Sequence, residues 1–319
     1  MNLTFRPTRP ADFDQCLTLI RDGFLYDAEA RRRLVRLWTE VLGQRRGESA
    51  VIEDGDRPRG ARVVGVGLSV FVTDEFVEET RTTLPPHIGL QMLDRWAGRR
   101  CPILRFEDVA RANAGDGINV LALHSGWLEE GVSAEEVAQI RHLLAESFIV
   151  HHRGYRLKTF LQEVYGEFDV RFMQVIGARV WTDYGWYYAQ ASAPPERRPY
   201  LMGMTRAEAL SQEGTMAFSA FFPSVSRFHF TPREQDVLRH ALEGETDEVI
   251  AAQLGIAAVT VKKRWEAIYG RVMTVDRELL TPGAAGIATA ERRGTEKRRL
   301  VLQYLRHHPE ELRPGGRRA

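Results

Sequence analysis

Phe230-Thr-Pro-Arg-Glu-Gln-Asp-Val-Leu-Arg239, running on to Arg271-Val-Met273, is the stretch that decides how this chain is read. Thr231 stands where a helix N-cap belongs, Pro232 follows at the first helical position and Glu234 lies three residues on, which is a capping box with a proline already at helical φ. Val237, Leu238, Ala241 and Leu242 share one face of that helix, and Gly244 stands where a left-handed stop is wanted. Thr246 caps a second helix over Asp247 and Glu248, with Ile250, Ala251 and Leu254 turned inward before Gly255 makes a tight turn. In the third helix Val261, Trp265, Ile268 and Val272 recur at i, i+4, i+7 and i+11. One stripe therefore packs inward, and Thr260, Lys262, Lys263, Arg264 and Glu266 lie off it. Three short helices with a basic outer face on the last read as a small helix-turn-helix.

The remainder of the chain is too long to be an appendage of that module. Of 319 residues, 44% are hydrophobic and 27% charged, the balance of a globular protein, so a large domain plus the small three-helix one is the expected division. No run approaches the ~18 apolar residues of a membrane span. Arg6, Arg9 and Asp12 interrupt any apolar leader, so a cytoplasmic location and no membrane partner are expected. Cys16 and Cys101 are the two cysteines, without a Cys-x-x-Cys or Cys/His cluster, so neither a disulfide framework nor a metal site is indicated and both are expected as small core hydrophobes. The net charge of +1 hides an asymmetry: from Arg227 onward 17 Lys and Arg stand against 13 Asp and Glu, leaving +4 there and −3 before it. A modest local positive field suits one end that meets a polyanion on a protein that is not a bulk nucleic-acid binder.

Thr231-Pro-Arg-Glu, Val237-Leu, Ile250-Ala-Ala-Gln-Leu-Gly-Ile256 and Thr260-Val-Lys262 together resemble the LuxR/GerE-type helix-turn-helix of bacterial transcription regulators. The resemblance implies that the third helix enters the major groove of double-stranded DNA. It puts Val259, Thr260, Lys262, Lys263, Arg264, Glu266 and Arg271 at the interface as the DNA-binding residues. Two departures stand out. Ala257 replaces the serine that usually opens the recognition helix, removing a cap of about 1 kcal/mol. Val259 and Glu266 occupy positions that are often polar or basic.

Upstream, Leu3 to Pro10 reads as a first strand broken by proline, and a helix follows with Phe13, Cys16, Leu17 and Ile20 on one face. A second helix spans Asp27 to about Leu42, with Arg31-Arg-Arg33 as a solvated face. Ser49 to Glu53 and Arg62 to Val72 read as two strands joined by the Asp54-Gly-Asp-Arg-Pro turn. An insertion between about Glu75 and Gly117 holds two helical pieces, 88–97 and 106–112. Ile118 to His124 is the next strand, Ala134 to Phe148 a helix, and Phe172 to Val180 a helix running into a strand. Trp181, Tyr184, Trp186, Tyr187 and Tyr188 are expected at strand spacing, and Thr215 to Phe222 as a last strand.

With Phe5-Arg-Pro-Thr-Arg-Pro-Ala-Asp12 and Val63-Val-Gly-Val-Gly67, that order resembles the start of GNAT acyltransferases. The resemblance implies a loop whose backbone N–H groups cradle a pyrophosphate at a helix N-terminus. The candidate is His151-His-Arg-Gly-Tyr-Arg156, which makes His151, Arg153 and Gly154 weak cofactor-binding candidates. Arg156 and His151 put bulk where backbone must approach phosphate, so the expectation is a scaffold without catalytic use, with no catalytic residue and no cofactor assigned. His124, at the end of a strand, has no Ser or Cys nucleophile with a partnering acid nearby in sequence and reads as a core histidine rather than a base.

The expected fold is thus an α/β (α+β), GNAT-like mixed sheet with helices over 1–222 and a linker at 223–229. An all-α helix-turn-helix follows at 230–275, then a basic tail with a C-terminal helix at 276–319. Thr281-Pro-Gly-Ala-Ala-Gly-Ile-Ala288 is expected to be flexible, and the helix from Thr295 to offer Leu300, Val301, Tyr304 and Leu305 for pairing. The expected function is transcription regulation as a homodimer on double-stranded DNA. The large domain is expected to serve pairing or to bind a small-molecule or protein effector. The alternative is a GNAT-type acyltransferase fused to a DNA reader. A phosphoacceptor domain lacks its paired acidic residues after the first strand.

Overall fold

The computed structural model describes residues 1–98, 100–188, 194–280 and 290–315. The chain forms two compact units, one from residues 1–152 and 156–222, the other from 153–155 and 223 onward.

In the first unit the elements follow one another as β1 (Leu3–Pro7), α1 (Phe13–Leu19), α2 (Ala28–Gly43), β2 (Gly47–Asp54) and β3 (Val63–Val72). Next come α3 (Asp74–Thr82), α4 (Ile88–Ala97), α5 (Phe106–Ala114), β4 (Ile118–Trp127), α6 (Ala134–His152), β5 (Leu157–Tyr165) and α7 (Gly166–Val175). The unit closes with β6 (Arg179–Asp183), α8 (Gly185–Tyr188), β7 (Pro199–Thr205), α9 (Arg206–Leu210) and α10 (Met216–Phe221). The strands form one mixed sheet of seven in the order β1-β2-β3-β4-β5-β7-β6. β4 and β5 pair in parallel and the other neighbours are antiparallel. β3 is central because Val-Val-Gly-Val-Gly-Leu-Ser-Val-Phe-Val is β-branched and almost wholly buried, with no polar face to give to water. Against one side lie α1, α2 and α4, whose Phe13, Cys16, Leu34, Leu37, Trp38 and Met92 join Val51, Val66, Val70 and Leu121 in the main core. Gly126 is where the α1 end meets the sheet, since Ile20 bridges to it and a β-carbon there would run into the Leu19 backbone.

The second unit holds α11 (Pro232–Leu242), α12 (Asp247–Gln253), α13 (Ala258–Val275) and α14 (Ala290–His307). The capping box forms as the sequence implies: the Glu234 backbone N–H donates to Thr231 Oγ1 at 3.3 Å and the Thr231 N–H to the Glu234 carboxylate at 2.7 Å. Gly244 and Gly255 take the left-handed conformation at φ 87° and 62°, closing α11 and α12. Val237, Leu238, Ile250, Val261, Trp265, Ile268 and Val272 form the core, and Phe228, Val301, Leu305 and Leu312 complete it.

Several expectations change. The stretch from Thr215 to Phe222 is the helix α10 rather than a strand: Thr215 Oγ1 caps it by accepting the Phe218 N–H at 3.1 Å, and Ala217 and Phe221 bury at i, i+4. The last strand of the sheet is instead β7, buried at every position but its last and therefore without alternation. The aromatic run leaves strand geometry after Asp183. Tyr184 is buried, while Trp186 and Tyr187 stand exposed on the turn of α8. α3 adds a third helix to the 75–117 insertion. Cys16 is buried, but Cys101 is only half-buried. Within the segment 223–229 expected as a linker, Phe228 sits at 2% exposure in the C-terminal core. Of the apolar stripe of α14, Val301 and Leu305 are buried in the same core, while Leu300 and Tyr304 are half-buried. The flexible stretch expected at 281–288 lies outside the described residues. Among the described residues, no helix is long and apolar enough to cross a membrane.

Candidate nucleic-acid interface

The helix α13 is positioned by what it packs against. Along the 18 residues of α13, Val261, Trp265, Ile268 and Val272 are buried, and the opposite face presents Val259, Lys262, Lys263, Glu266, Ala267 and Gly270 to solvent. Val259 is 59% exposed. Ala267 and Gly270 were not anticipated as interface residues. Their small size leaves the centre of the face flat, and a glycine in a helix interior, which costs about 1 kcal/mol, was the available signal.

Lys262 and Lys263 stand on this face. Lys262 also lies near Glu248 at the start of α12, whose carboxyl is held below its ordinary value first by its own cap hydrogen bonds and, among the charges, by Lys262. Thr260 is half-buried on the flank. Arg264 does not share the open face with the lysines. It is half-buried on the flank turned to α11, and its Nη1 donates to the Arg233 carbonyl at 3.3 Å. Arg271 lies on the same flank, with Nε 3.3 Å from the Glu234 carboxylate. That carboxylate is also the capping-box acceptor of α11. Arg271 is thus a tie between α11 and α13 before it is anything else. At the N-terminus of α13 the cap position holds Ala257, and no side chain caps the first turn. The Thr260 N–H donates to the Ala257 carbonyl at 2.8 Å, which leaves those of Ala258 and Val259 for an outside acceptor.

The buried edge of α13 is fixed by α14, which sequence reasoning missed. The Trp265 indole N–H donates to Asp247 Oδ1 at 3.3 Å, and Arg298 Nη1 donates to the same oxygen at 2.7 Å. Arg298 Nη2 reaches the Glu245 carbonyl at 2.9 Å, and the guanidinium lies 4.9 Å from the Trp265 ring centroid. One carboxylate at the first turn of α12 therefore anchors both the recognition helix and the C-terminal helix. The size of Trp265 is explained by this: an aliphatic residue would fill the core but could not reach Asp247.

In the first unit the weak cofactor candidates do not form the cradle expected of them. α6 ends at His152, so 151–156 trails a helix C-terminus, where carbonyls and the negative end of the dipole repel phosphate. His151 Nδ1 is 2.8 Å from the Ser147 carbonyl, Gly154 is left-handed at φ 87°, and Arg153 and Gly154 group with the other unit. The Arg156 N–H donates to Asn113 Oδ1 at 2.7 Å and its guanidinium to the Gly115 carbonyl at 2.7 Å, so this arginine is a structural clasp.

His124 is core. The Trp38 indole N–H donates to its Nδ1 at 3.3 Å, which assigns the ring proton to Nε2. Nε2 faces the Tyr26 hydroxyl at 3.0 Å, and that hydroxyl donates to Asp22 at 2.7 Å. Complete burial pushes His124 down to about 3, so the ring stays neutral and both its nitrogens are engaged.

The luxR family of bacterial regulatory proteins (GerE) matches residues 229–277. No curated protein matches the chain. Among solved structures, the chain is similar to NAA60 of Arabidopsis thaliana in complex with acetyl-CoA, at 16% identity and TM-score 0.38 over 64% of this chain and 99% of that one. It is similar to the C-terminal condensation domain of Ebony in complex with beta-alanyl-dopamine, at 10% identity and TM-score 0.39 over 64% and 98%. It is also similar to a histone acetyltransferase HPA2 and related acetyltransferase from Corynebacterium glutamicum, at 12% identity and TM-score 0.33 over 64% and 96%. With its capping box, its two glycine stops and its outward lysines, the segment 229–277 is a DNA-binding domain of the luxR family of bacterial regulatory proteins.

Proposed function

We propose that the protein is a transcription regulator that reads double-stranded DNA through the exposed face of α13 as a homodimer, and that its N-terminal unit receives the signal. The observation that carries this reading is the composition of that face. Lys262 and Lys263 flank a flat centre at Ala267 and Gly270, with Val259 and Glu266 beside them as groups able to meet a thymine methyl and a cytosine amino group. Lys262 and Lys263 supply phosphate or base contacts, Glu266 accepts a hydrogen bond from cytosine, and the open N–H groups of Ala258 and Val259 receive a phosphate oxygen. Arg264 and Arg271 hold the helix against α11 and reach the backbone of the duplex from its flank.

Pairing follows from the size of the reader. A single module of this kind buries about 600–1,000 Å² and contacts too few bases to select one genomic site, whereas two half-sites about one helical turn apart multiply the discrimination. The proposed pairing surface is on the N-terminal unit, a reading supported by the burial of Val301 and Leu305 of α14 in the C-terminal core. The strands β1 and β6 form the edges of its sheet, and Phe168, Val175 and Val180 stand exposed beside the second of them.

Selection of bound fragments from a library of genomic DNA by the purified protein tests this. The expected outcome is an enriched motif with two half-sites and a complex that sediments with two chains. Recovery of fragments indistinguishable from the input library overturns the reading.

A further inference from the structure

The N-terminal unit contains a cavity of about 140 Å³ between the sheet and the helices α6, α7 and α10. Its walls are largely apolar, with Gly67, Leu144, Phe148, Phe160 and Met173 among them. Two of its polar pairs are satisfied internally. Gln162 Nε2 donates to Ser125 Oγ at 2.8 Å, and Ser69 Oγ lies 2.8 Å from His152 Nε2.

At one end the bonding is incomplete. Arg141 lines the cavity at 4% exposure, and its Nε and Nη2 have no hydrogen-bond partner among the described residues. Asp169 lines it too, also buried, and its Oδ1 has none. The two groups face each other at 3.8 Å, close enough to attract and too far for a hydrogen bond. Arg21 Nε is 3.5 Å from the other Asp169 oxygen, again without a hydrogen bond. Rings of Trp127, Phe168 and Phe172 lie 4.7, 4.4 and 3.9 Å from the Arg141 guanidinium carbon. They offset part of its charge but offer no acceptor for its in-plane N–H groups. Burial lowers the Arg141 guanidinium and raises the Asp169 carboxyl, which is the mark of a pair that compensates itself poorly.

An orphaned donor and an orphaned acceptor side by side define what completes them. The missing group must accept from Arg141, which offers both Nε and Nη2, and donate to Asp169 Oδ1. A carboxylate satisfies Arg141 but sets a second negative charge against Asp169. An ammonium satisfies Asp169 but meets two guanidinium groups. A primary carboxamide does both at once and carries no charge into the cavity. The volume sets the body of the ligand, since apolar cavities of roughly 150 Å³ take up benzene.

We propose that this cavity binds a small neutral primary carboxamide with an apolar body of about benzene size. Its carbonyl oxygen accepts from Arg141 and its NH₂ donates to Asp169 Oδ1. This deepens the effector role given above to the N-terminal unit. Its regulatory meaning rests on that reading, while binding itself is measured without DNA and stands or falls separately.

The test is calorimetric titration of the full-length protein with benzamide, benzoate and benzylamine, repeated on Arg141→Met and Gly67→Val. A β-carbon on Gly67 meets nothing nearer than Leu144 Cδ2 at 3.9 Å, ordinary contact, so the position takes the start of a side chain, valine's methyls occupy cavity space beyond it, and the variant is expected to fold. The expected result is saturable binding of one benzamide per chain, with benzoate and benzylamine at least tenfold weaker. Arg141→Met should bind benzamide at least tenfold more weakly, and Gly67→Val should not bind it. If Arg141→Met does not fold, the ligand series and Gly67→Val still decide. No saturable benzamide binding by the wild-type chain, equal or tighter binding of benzoate or benzylamine, or unchanged binding by folded Gly67→Val overturns the proposal. None of these results depends on whether the protein selects a DNA site.

Discussion

Replacing Glu311 by alanine should loosen the DNA-binding unit without touching the surface that meets DNA. Glu311 is at 0% exposure, and its carboxylate accepts from Ser226 Oγ at 2.6 Å, the Arg227 N–H at 2.7 Å, the Phe228 N–H at 3.0 Å and the Tyr304 hydroxyl at 3.3 Å. The two hydroxyls can turn toward other partners. The two backbone N–H groups cannot turn, and that of Phe228 is left fully buried because Phe228 is locked in the core beside Phe230 and Tyr304, while that of the exposed Arg227 is left part-buried. Each buried orphan costs about 1–3 kcal/mol, and lost packing adds to it, so Glu311→Ala should destabilise the unit by about 3–5 kcal/mol. That is a large share of the roughly 5–15 kcal/mol that holds a domain folded. At about 1.4 kcal/mol per factor of ten, amides of α13 that exchange through global opening should lose roughly a hundred- to a few-thousand-fold of protection. Hydrogen exchange with peptide-level mass spectrometry on the full-length chain reads this directly, and peptides within the N-terminal unit serve as the internal control. Protection of 258–275 within threefold of wild type would refute the view that Glu311 is the clasp.

Three further outcomes are expected. Ala257→Ser supplies the missing cap of α13 and should stabilise the unit by about 1 kcal/mol, read as increased protection of its first turn. Arg271→Gln should lower that protection through its lost tie to Glu234 while leaving base preference in a competition binding assay unchanged. In the N-terminal unit, burial pushes Asp22 up to about 6 and Glu163 up to about 7. Both carboxyls keep their protons in the folded chain at pH values where the unfolded chain has lost them. Their contribution is therefore full below about pH 4 and is lost as pH rises through 6 and 7. Asp22→Asn should accordingly gain melting temperature relative to wild type as the pH is raised from 5 to 8, and a constant difference across that range would contradict the assignment.

The C-terminal unit was readable because its signals are local. Thr231, Glu234, Gly244, Thr246 and Gly255 each act within four residues, and the caps, stops and packed stripe of α13 appear where those residues put them. What was not readable is long-range. Asp247 carries a first-turn cap role in sequence, and nothing there announces that Trp265 and Arg298, 18 and 51 residues away, both bond to it. The charge of Arg264 and Arg271 marked them as DNA-facing, but charge does not say on which flank a side chain lies, and both turned toward α11. In the larger unit, strands with an obvious β-branched run such as β3 were legible. β7 was not, since burial on both faces erases alternation, and Thr215 to Phe222 was mistaken for it although its threonine cap was visible. The segment at 151–156 already carried bulk at His151 and Arg156 against a phosphate loop, and what the sequence did not show is that it trails the end of α6 rather than opening a helix.

The central claim is that the open face of α13, with Arg264 reaching in from its flank, selects DNA sequence, and the most direct measurement is a binding titration of the Lys262/Lys263/Arg264→Ala variant. It should be run beside wild type on a selected site and on unrelated duplex, at several salt concentrations. Loss of Lys262 alone should cost about 1–3 kcal/mol if it reads a base edge, and removing phosphate-contacting charges should flatten the salt dependence by about one unit of slope for each. The account predicts that the triple variant keeps its fold, binds both duplexes alike and binds them weakly. Wild-type affinity together with wild-type selectivity in that variant would contradict it.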